Sequence, residues 1–351
     1  MTMSDLNETT FLRACRGEPT DYTPVWLYRQ AGRYMPEYHA LKGNTPSLDF
    51  FKTPHMAAQA TCDAQRILGV DAAILFADLL PILEPMGLRL DYLPGIGPKI
   101  DNPVRTFDDI DSVSVLPARE QMPYIAEAIT LINQELPEDV PLIGFTGAPF
   151  TLASYAIEGQ GSKNYVHAKR MMHADSSAWH TLLEKITDCV IDYGRFQIES
   201  GVAALQLFDS WIGTLSLTDY REFVFPHTKR AFTELSHAGG GEVPLIHFGT
   251  GNPALLPLMA EAGGDVLGVD WRTNLMAVWE QTGVNAVQGN LDPIILCSSV
   301  SAIESATRQI LSDVDGKPGH IFNLGHGIVP ETPVDHVRRL VELVHECTDR
   351  R

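Results

Sequence analysis

Positive charge is scarce in this chain. Its 351 residues carry 26 Lys and Arg against 44 Asp and Glu, a formal net charge of −18. That balance excludes a general nucleic-acid footprint and requires any anionic ligand to find a local positive pocket inside a repelling field. Cysteine is equally sparse: Cys15, Cys62, Cys189, Cys297 and Cys347 are scattered and odd in number, which excludes a disulfide framework and fits reduced thiols in a reducing compartment. No apolar run approaches the roughly 18 to 20 residues of a membrane span, and the opening MTMSDLNETT is polar and acidic with no signal-peptide core. The expectation is a cytoplasmic protein without a membrane partner. There is no internal repeat, low-complexity tract or long linker, and no motif for pyridoxal phosphate, thiamine, flavin or a metal ion.

What is present is an ordinary globular balance, 44% hydrophobic and 20% charged, enough for a sizeable core. Short apolar runs recur at Val25 to Tyr28, Asp71 to Phe76, Leu142 to Phe145, Ala203 to Phe208, Leu245 to Phe248, Val266 to Val269, Ala286 to Gln288 and His320 to Asn323. Runs of this kind mark strands buried on both faces of a parallel sheet. Helical patterns lie between them: Pro54 to Leu68, Pro123 to Leu136, one long helix from about Tyr165 to Ser200, Leu217 to Ala238, Pro253 to Ala262, Leu275 to Thr282, Ser299 to Leu311 and Pro333 to Cys347. The last is expected to have Thr332 as N-cap, Pro333 in its first position and Val334, Val337, Val341 and Val344 as its core stripe. Eight strands alternating with helices predict a (β/α)8 barrel, an α/β fold of the TIM-barrel type, as a single domain over residues 1–351 with a short polar extension at about 1–8. The Gly/Pro-rich segment from Met86 to Val104 interrupts the alternation and reads as a hairpin or lid inserted after the second strand.

Active sites of such barrels are built at the C-terminal ends of the strands. The unusual polar residues fall there: Arg29 after the first, Asp78 after the second, Thr146-Gly147, Asp209-Ser210, Asp270 with Arg272, Asn290, and Asn323 to His326 after later ones. Each has a plain reading beside the functional one. Arg33 can pair with Glu37 four residues on. Asp78, a lone carboxylate in LFADLL, can be an N-cap or the buried partner of an Arg; Tyr155 can be a core aromatic, Ser210 a helix cap, and His326 an exposed turn histidine. The turn in GFTGAPFT lacks the GxxxxGK[ST] spacing of a phosphate loop, and Asp-Ser-Trp lacks the GxSxG elbow of a serine hydrolase.

The stretch PVWLYRQAGRYMPEY, Pro24 to Tyr38, decides between these readings. Two guanidiniums flank a Gly-containing turn, an arrangement suited to bidentate capture of carboxylates. Its wording resembles the signature of uroporphyrinogen decarboxylases, PxWxMRQAGRYxPEY, with Tyr28 where Met is usual. Further similarity lies in the aspartate loop at Asp78, in GAPFTLASYAIEGQGSKNY with Gln160 where Gly is commoner, in LQLFDSW, HFG, GVDWR, VQGNLD and NLGHG, from about Thr9 to His345.

The resemblance implies cofactor-independent removal of the four acetate carboxyls of uroporphyrinogen, giving coproporphyrinogen, with the protonated pyrrole as electron sink. It implies that Asp78 accepts the pyrrole N–H groups and that Arg29, Arg33, Tyr155, Ser210, His326 and the loop from Arg29 through Gln30, Ala31 and Gly32 to Arg33 hold carboxylates. Arg29 or a bound water is the implied proton donor, and a homodimer with facing clefts is implied as well. Two alternatives remain open here. A corrinoid or thiol methyltransferase on a similar barrel would use zinc held by His and Cys, and His345-Glu346-Cys347 has an opening His-x-Cys spacing with no later Cys to complete a site. A non-catalytic tetrapyrrole carrier would gain little from a carboxylate at Asp78.

Overall fold

The computed structural model describes residues 8–93 and 95–350. Most of the polar extension expected at 1–8 lies outside the described residues, as does Pro94 in the inserted segment. Seven parallel strands form one curled sheet: β1 (Ala73–Ile74), β4 (Leu142–Gly147), β5 (Ala204–Asp209), β6 (Leu245–Gly249), β7 (Val266–Gly268), β8 (Ala286–Gln288) and β9 (His320–Ile321), hydrogen-bonded in that order. The inserted segment supplies β2 (Leu90–Leu93) and β3 (Gly97–Ile100), a separate antiparallel hairpin.

The eighth stave is the Val25–Tyr28 run, which forms less ladder than an ordinary strand. Val25 makes a parallel bridge to Phe322. Phe322 N donates to Pro24 O at 2.8 Å and Trp26 N to Phe322 O at 3.3 Å; on the other side Asp71 N donates to Val25 O at 2.8 Å. Side chains complete the pairing. Val25 N donates to Asp71 Oδ2 at 2.7 Å, Tyr28 N to Asn323 Oδ1 at 3.1 Å and Leu27 N to the Gln30 side-chain oxygen at 3.0 Å. The TIM-barrel expectation therefore holds, with the first run serving as the seam.

Inside the barrel, Trp26, Tyr28, Ile143, Ala204, Ile246, Phe248, Val266, Ala286 and Ile321 pack together, and the helix Thr10–Cys15 buries Phe11 and Leu12 against the same cluster. One layer of this interior is polar. Gln288 accepts from Trp26 Nε1 at 2.7 Å, while its amide nitrogen donates to the Tyr28 hydroxyl at 2.6 Å and to Gln206 Oε1 at 3.1 Å. The hydroxyl that Tyr28 adds to this core is thus paired, as burial of a phenol requires.

The helices follow the expected order with three corrections. The long helix from Tyr165 to Ser200 is two, Val166–Ala174 and Ser176–Ser200. Asp175 between them leaves helical geometry and caps the second through Ala178 N at 3.0 Å, a short acidic side chain competing with the backbone ladder. The Leu217 to Ala238 helix begins with a single turn and a π turn at Tyr220–Val224 before Phe225–Leu235; Pro226, lacking an N–H, sits at the junction. In the final helix, Val334–Thr348, Pro333 rather than Thr332 is the cap residue, and Thr332 Oγ1 instead faces Cys297 Sγ at 3.6 Å. Its Val337, Val341 and Val344 are buried as expected.

The hairpin is stitched to the helix Pro149–Glu158: Ile100 N donates to Gly159 O at 2.6 Å and Val104 N to Ala156 O at 2.9 Å. Gly159, at φ 83°, closes that helix where a Cβ would meet Ile100 O at 3.2 Å.

Replacing Gln288 with Leu would strand the Trp26 N–H and the Tyr28 hydroxyl in a dry core. The expected loss is about 2–4 kcal/mol of unfolding free energy, read from the denaturant midpoint; a loss below about 1 kcal/mol would show that the polar layer carries little stability.

Candidate active site

The turn at Arg29 starts the site. Gln30 N donates to Leu27 O at 3.0 Å, and Arg29 occupies the third position of that turn at φ 62°, a left-handed conformation that a long side chain rarely adopts. Such strain at a non-glycine persists where surrounding contacts over-determine it and tends to mark function. The Arg29 side chain then crosses the backbone of the loop after β9. A Cβ on Gly327 would lie 2.5 Å from Arg29 Cδ and 2.8 Å from its Nε, so glycine there admits the guanidinium.

Arg29 faces three of the residues singled out in the sequence, acting electrostatically on Asp78, Tyr155 and His326. Asp78 is half-buried, and its Oδ1 accepts from Leu80 N at 3.1 Å. Burial pushes its carboxyl above the usual range; the Tyr92 hydroxyl, the Leu80 and Leu79 amides and Arg29 oppose the shift. Tyr155 is raised to about 12 by burial and by Asp78, so its hydroxyl keeps its proton near neutrality. His326 is half-buried rather than an exposed turn residue, and is lowered to about 4 by burial and by Arg29 and Arg272. It is a neutral imidazole at pH 7. Its ring meets Trp271 edge-on, while the Arg272 guanidinium lies 3.8 Å over the Trp271 ring.

Ser210 follows β5 directly and is half-buried; its neighbour Trp211 meets the rings of Tyr155 and Tyr165, both at 5.9 Å. Arg33 is exposed, beside Tyr38, and no ion pair to Glu37 forms among the described residues. Gln30 is buried with both ends of its amide engaged, Oε1 by Leu27 N and Nε2 by Ala72 O, and its own N–H is spent in the turn. The loop therefore offers Ala31, Gly32 and Arg33, whose amides have no acceptor among the described residues, and Gln30 braces it.

Other residues at the strand ends serve as scaffold. The buried Asp270 takes Thr250 Oγ1 at 2.7 Å, Gly251 N at 2.8 Å and Arg272 Nη1 at 2.9 Å, and Asn290 donates to Asp270 O and Thr273 O. Asn323 binds the amides of Tyr28 and Leu324. Tyr92 from the hairpin does not stand out in the sequence, since an aromatic in an inserted loop looks the same whether it covers a core or a ligand; Trp271 stands there only within the GVDWR wording. The His345-Glu346-Cys347 spacing is at the other end of the molecule, where His345 Nε2 lies 2.8 Å from Asp71 Oδ2 and Cys347 Sγ lies 2.9 Å from Arg308 Nη1. Among the described residues no group of three or more His, Cys, Asp or Glu is placed to hold a metal ion.

Residues 6–347 match the family model described as uroporphyrinogen decarboxylase. The chain belongs to the uroporphyrinogen decarboxylase family. It is 51% identical over 340 residues to the uroporphyrinogen decarboxylase of Carboxydothermus hydrogenoformans, covering 97% of this chain and 96% of that one. To the Chloroflexus aurantiacus uroporphyrinogen decarboxylase it is 52% identical over 337 residues, with 95% and 94% covered. A solved methyltransferase from Methanosarcina mazei superposes with a TM-score of 0.80 over 96% of this chain and 98% of its own, at 20% identity. That likeness establishes the barrel and leaves the chemistry to the residues at its mouth. No helix among the described residues is long and apolar enough to cross a membrane.

Two outcomes follow from this geometry. Gly327→Ala is expected to displace Arg29 and lower kcat/KM by about 10- to 100-fold with little change in melting temperature. Asp209, buried behind Ser210 with Oδ1 taking Thr151 Oγ1 at 3.0 Å, is raised to about 7 by burial. A carboxyl with a raised folded-state pKa binds its proton more tightly when folded, so its contribution falls as pH rises from about 4 to about 7. Asp209→Asn should therefore exceed the parent's melting temperature by more at pH 8 than at pH 5; an equal difference at both would sink the assignment.

Proposed function

We infer that this protein decarboxylates the four acetate side chains of uroporphyrinogen III, giving coproporphyrinogen III and CO2 in porphyrin and haem biosynthesis. It is a carboxy-lyase. The observation that carries the site assignment is the meeting of Arg29, Asp78, Tyr155 and His326 at one end of the barrel, a lone carboxylate ringed by groups suited to anions.

Loss of CO2 from an acetate leaves an electron pair that must be accommodated. Protonation of the adjacent pyrrole carbon makes an iminium-like ring that accepts it, so the substrate provides its own electron sink. Asp78 then takes hydrogen bonds from the pyrrole N–H groups and stabilises the positive charge that grows on the ring, a contribution concentrated in the transition state. Binding such a cationic ring also favours the ionised carboxylate, against the burial that raises its pKa. Arg29 and Arg33 hold substrate carboxylates, joined by the free amides of Ala31, Gly32 and Arg33, the Tyr155 and Ser210 hydroxyls and the neutral His326. Gln30 acts through the loop it braces. Arg29 or a bound water delivers the proton to the ring carbon; once CO2 has left, the exocyclic carbon takes up a proton and the ring carbon gives its proton back, leaving a methyl group. In this reading the chain is one barrel domain that works as a homodimer with facing clefts, which light scattering of the purified protein would test.

The decisive assay is anaerobic incubation with uroporphyrinogen III and no added cofactor, followed by oxidation and separation of porphyrins by carboxyl number. Stepwise conversion from eight carboxylates to four is expected. Asp78→Asn should keep the parent's circular dichroism and melting temperature and lose about 100-fold or more in kcat; near-full activity would refute the role given to Asp78.

A further inference from the structure

The hairpin brings one further residue, Tyr92, to the site. Tyr92, on β2, is half-buried, and its hydroxyl is fully enclosed without a well-formed hydrogen bond among the described residues. It faces the Asp78 carboxylate, with Tyr155 and Glu84 as its other charged or titratable neighbours. Asp78 in turn faces Arg29, Tyr92 and Tyr155. The phenol is held from two sides. Its ring packs edge-on to Phe51 at 5.5 Å, and Phe51 meets Phe76, two residues before Asp78, at 5.8 Å. Beyond β2, the hairpin is pinned to the Tyr155 helix through Ile100 and Val104, with a further bridge between Lys99 and Gln160.

We propose that Tyr92 is a positioning residue for Asp78: its hydroxyl donates a hydrogen bond to the carboxylate on the side away from the pyrroles, holding it ionised and aimed at the substrate. An enclosed phenol without a well-formed hydrogen bond leaves a donor unsatisfied, and the Asp78 carboxylate it faces is the group whose charge the reaction needs.

This proposal rests on the role assigned to Asp78, so the two must be tested separately. Tyr92→Phe keeps the ring and removes the hydroxyl; Tyr92→Leu removes both. The readouts are the pH dependence of kcat and the infrared carboxyl titration of Asp78, isolated by subtracting the spectrum of Asp78→Asn. A donor to the carboxylate lowers its pKa, so Tyr92→Phe is expected to move the acidic limb of kcat and the titration midpoint upward together, by about one unit, a tenfold change in the protonation equilibrium. KM should change less than twofold and melting temperature should hold. An unmoved limb and midpoint in Tyr92→Phe, with loss of activity only in Tyr92→Leu, would reduce Tyr92 to packing and overturn the proposal while leaving Asp78 in place. Full activity in Asp78→Asn would instead remove the premise.

Discussion

The barrel closes through one short stave, and the site hangs from that closure. Val25 to Tyr28 has hydrogen-bonded neighbours on both sides but little regular ladder, and Asp71, Asn323 and Gln30 lend side-chain groups where backbone partners run out. A parallel sheet can end at an unpaired edge; a barrel cannot without leaving N–H and C=O groups buried and unmet. The polar residues at this seam are therefore structural, and they set where the chain turns. Arg29 is the residue at the turn, in a left-handed conformation that only the surrounding contacts sustain.

From that turn the electrostatics of the mouth follow. The protein as a whole is strongly acidic, yet the ligand it takes is a polyanion, so attraction has to be local. Arg29 lies against Gly327 and acts electrostatically on His326, Tyr155 and Asp78. In the function proposed for this chain, the cluster without Asp78 would be an anion trap; with it, the site favours a cation on the ring while gripping carboxylates. Burial raises the cost of that carboxylate, and the groups around it decide whether it stays ionised. The neutral His326 fits the same logic, because a third cation beside two guanidiniums would be disfavoured without a bound anion.

The order of strands and helices could be read from the chain because burial on both faces leaves uninterrupted apolar runs, as at Leu142 to Phe145 and Val266 to Val269, and because the polar residue ending each run marks the barrel's active end. Boundaries governed by one side chain were less legible. Asp175 divides a continuous apolar stripe, and Pro226 shifts a helix into a π turn, without disturbing the periodicity that predicted one helix in each place.

The site residues divide along the same line. Arg29, Asp78, Tyr155, Ser210 and His326 stand out by sequence alone, through residue type, position after a strand and similarity of wording. Sequence alone could not tell which polar residues are spent on the scaffold. Gln30, Asp270, Asn290 and Asn323 turn to the backbone, and Tyr92 comes in from the hairpin. Periodicity and motif are properties of neighbours along the chain, and these determined the barrel and its family. The direction of a side chain on an irregular loop depends on which buried backbone groups lack partners, and only the closed tertiary structure decides that.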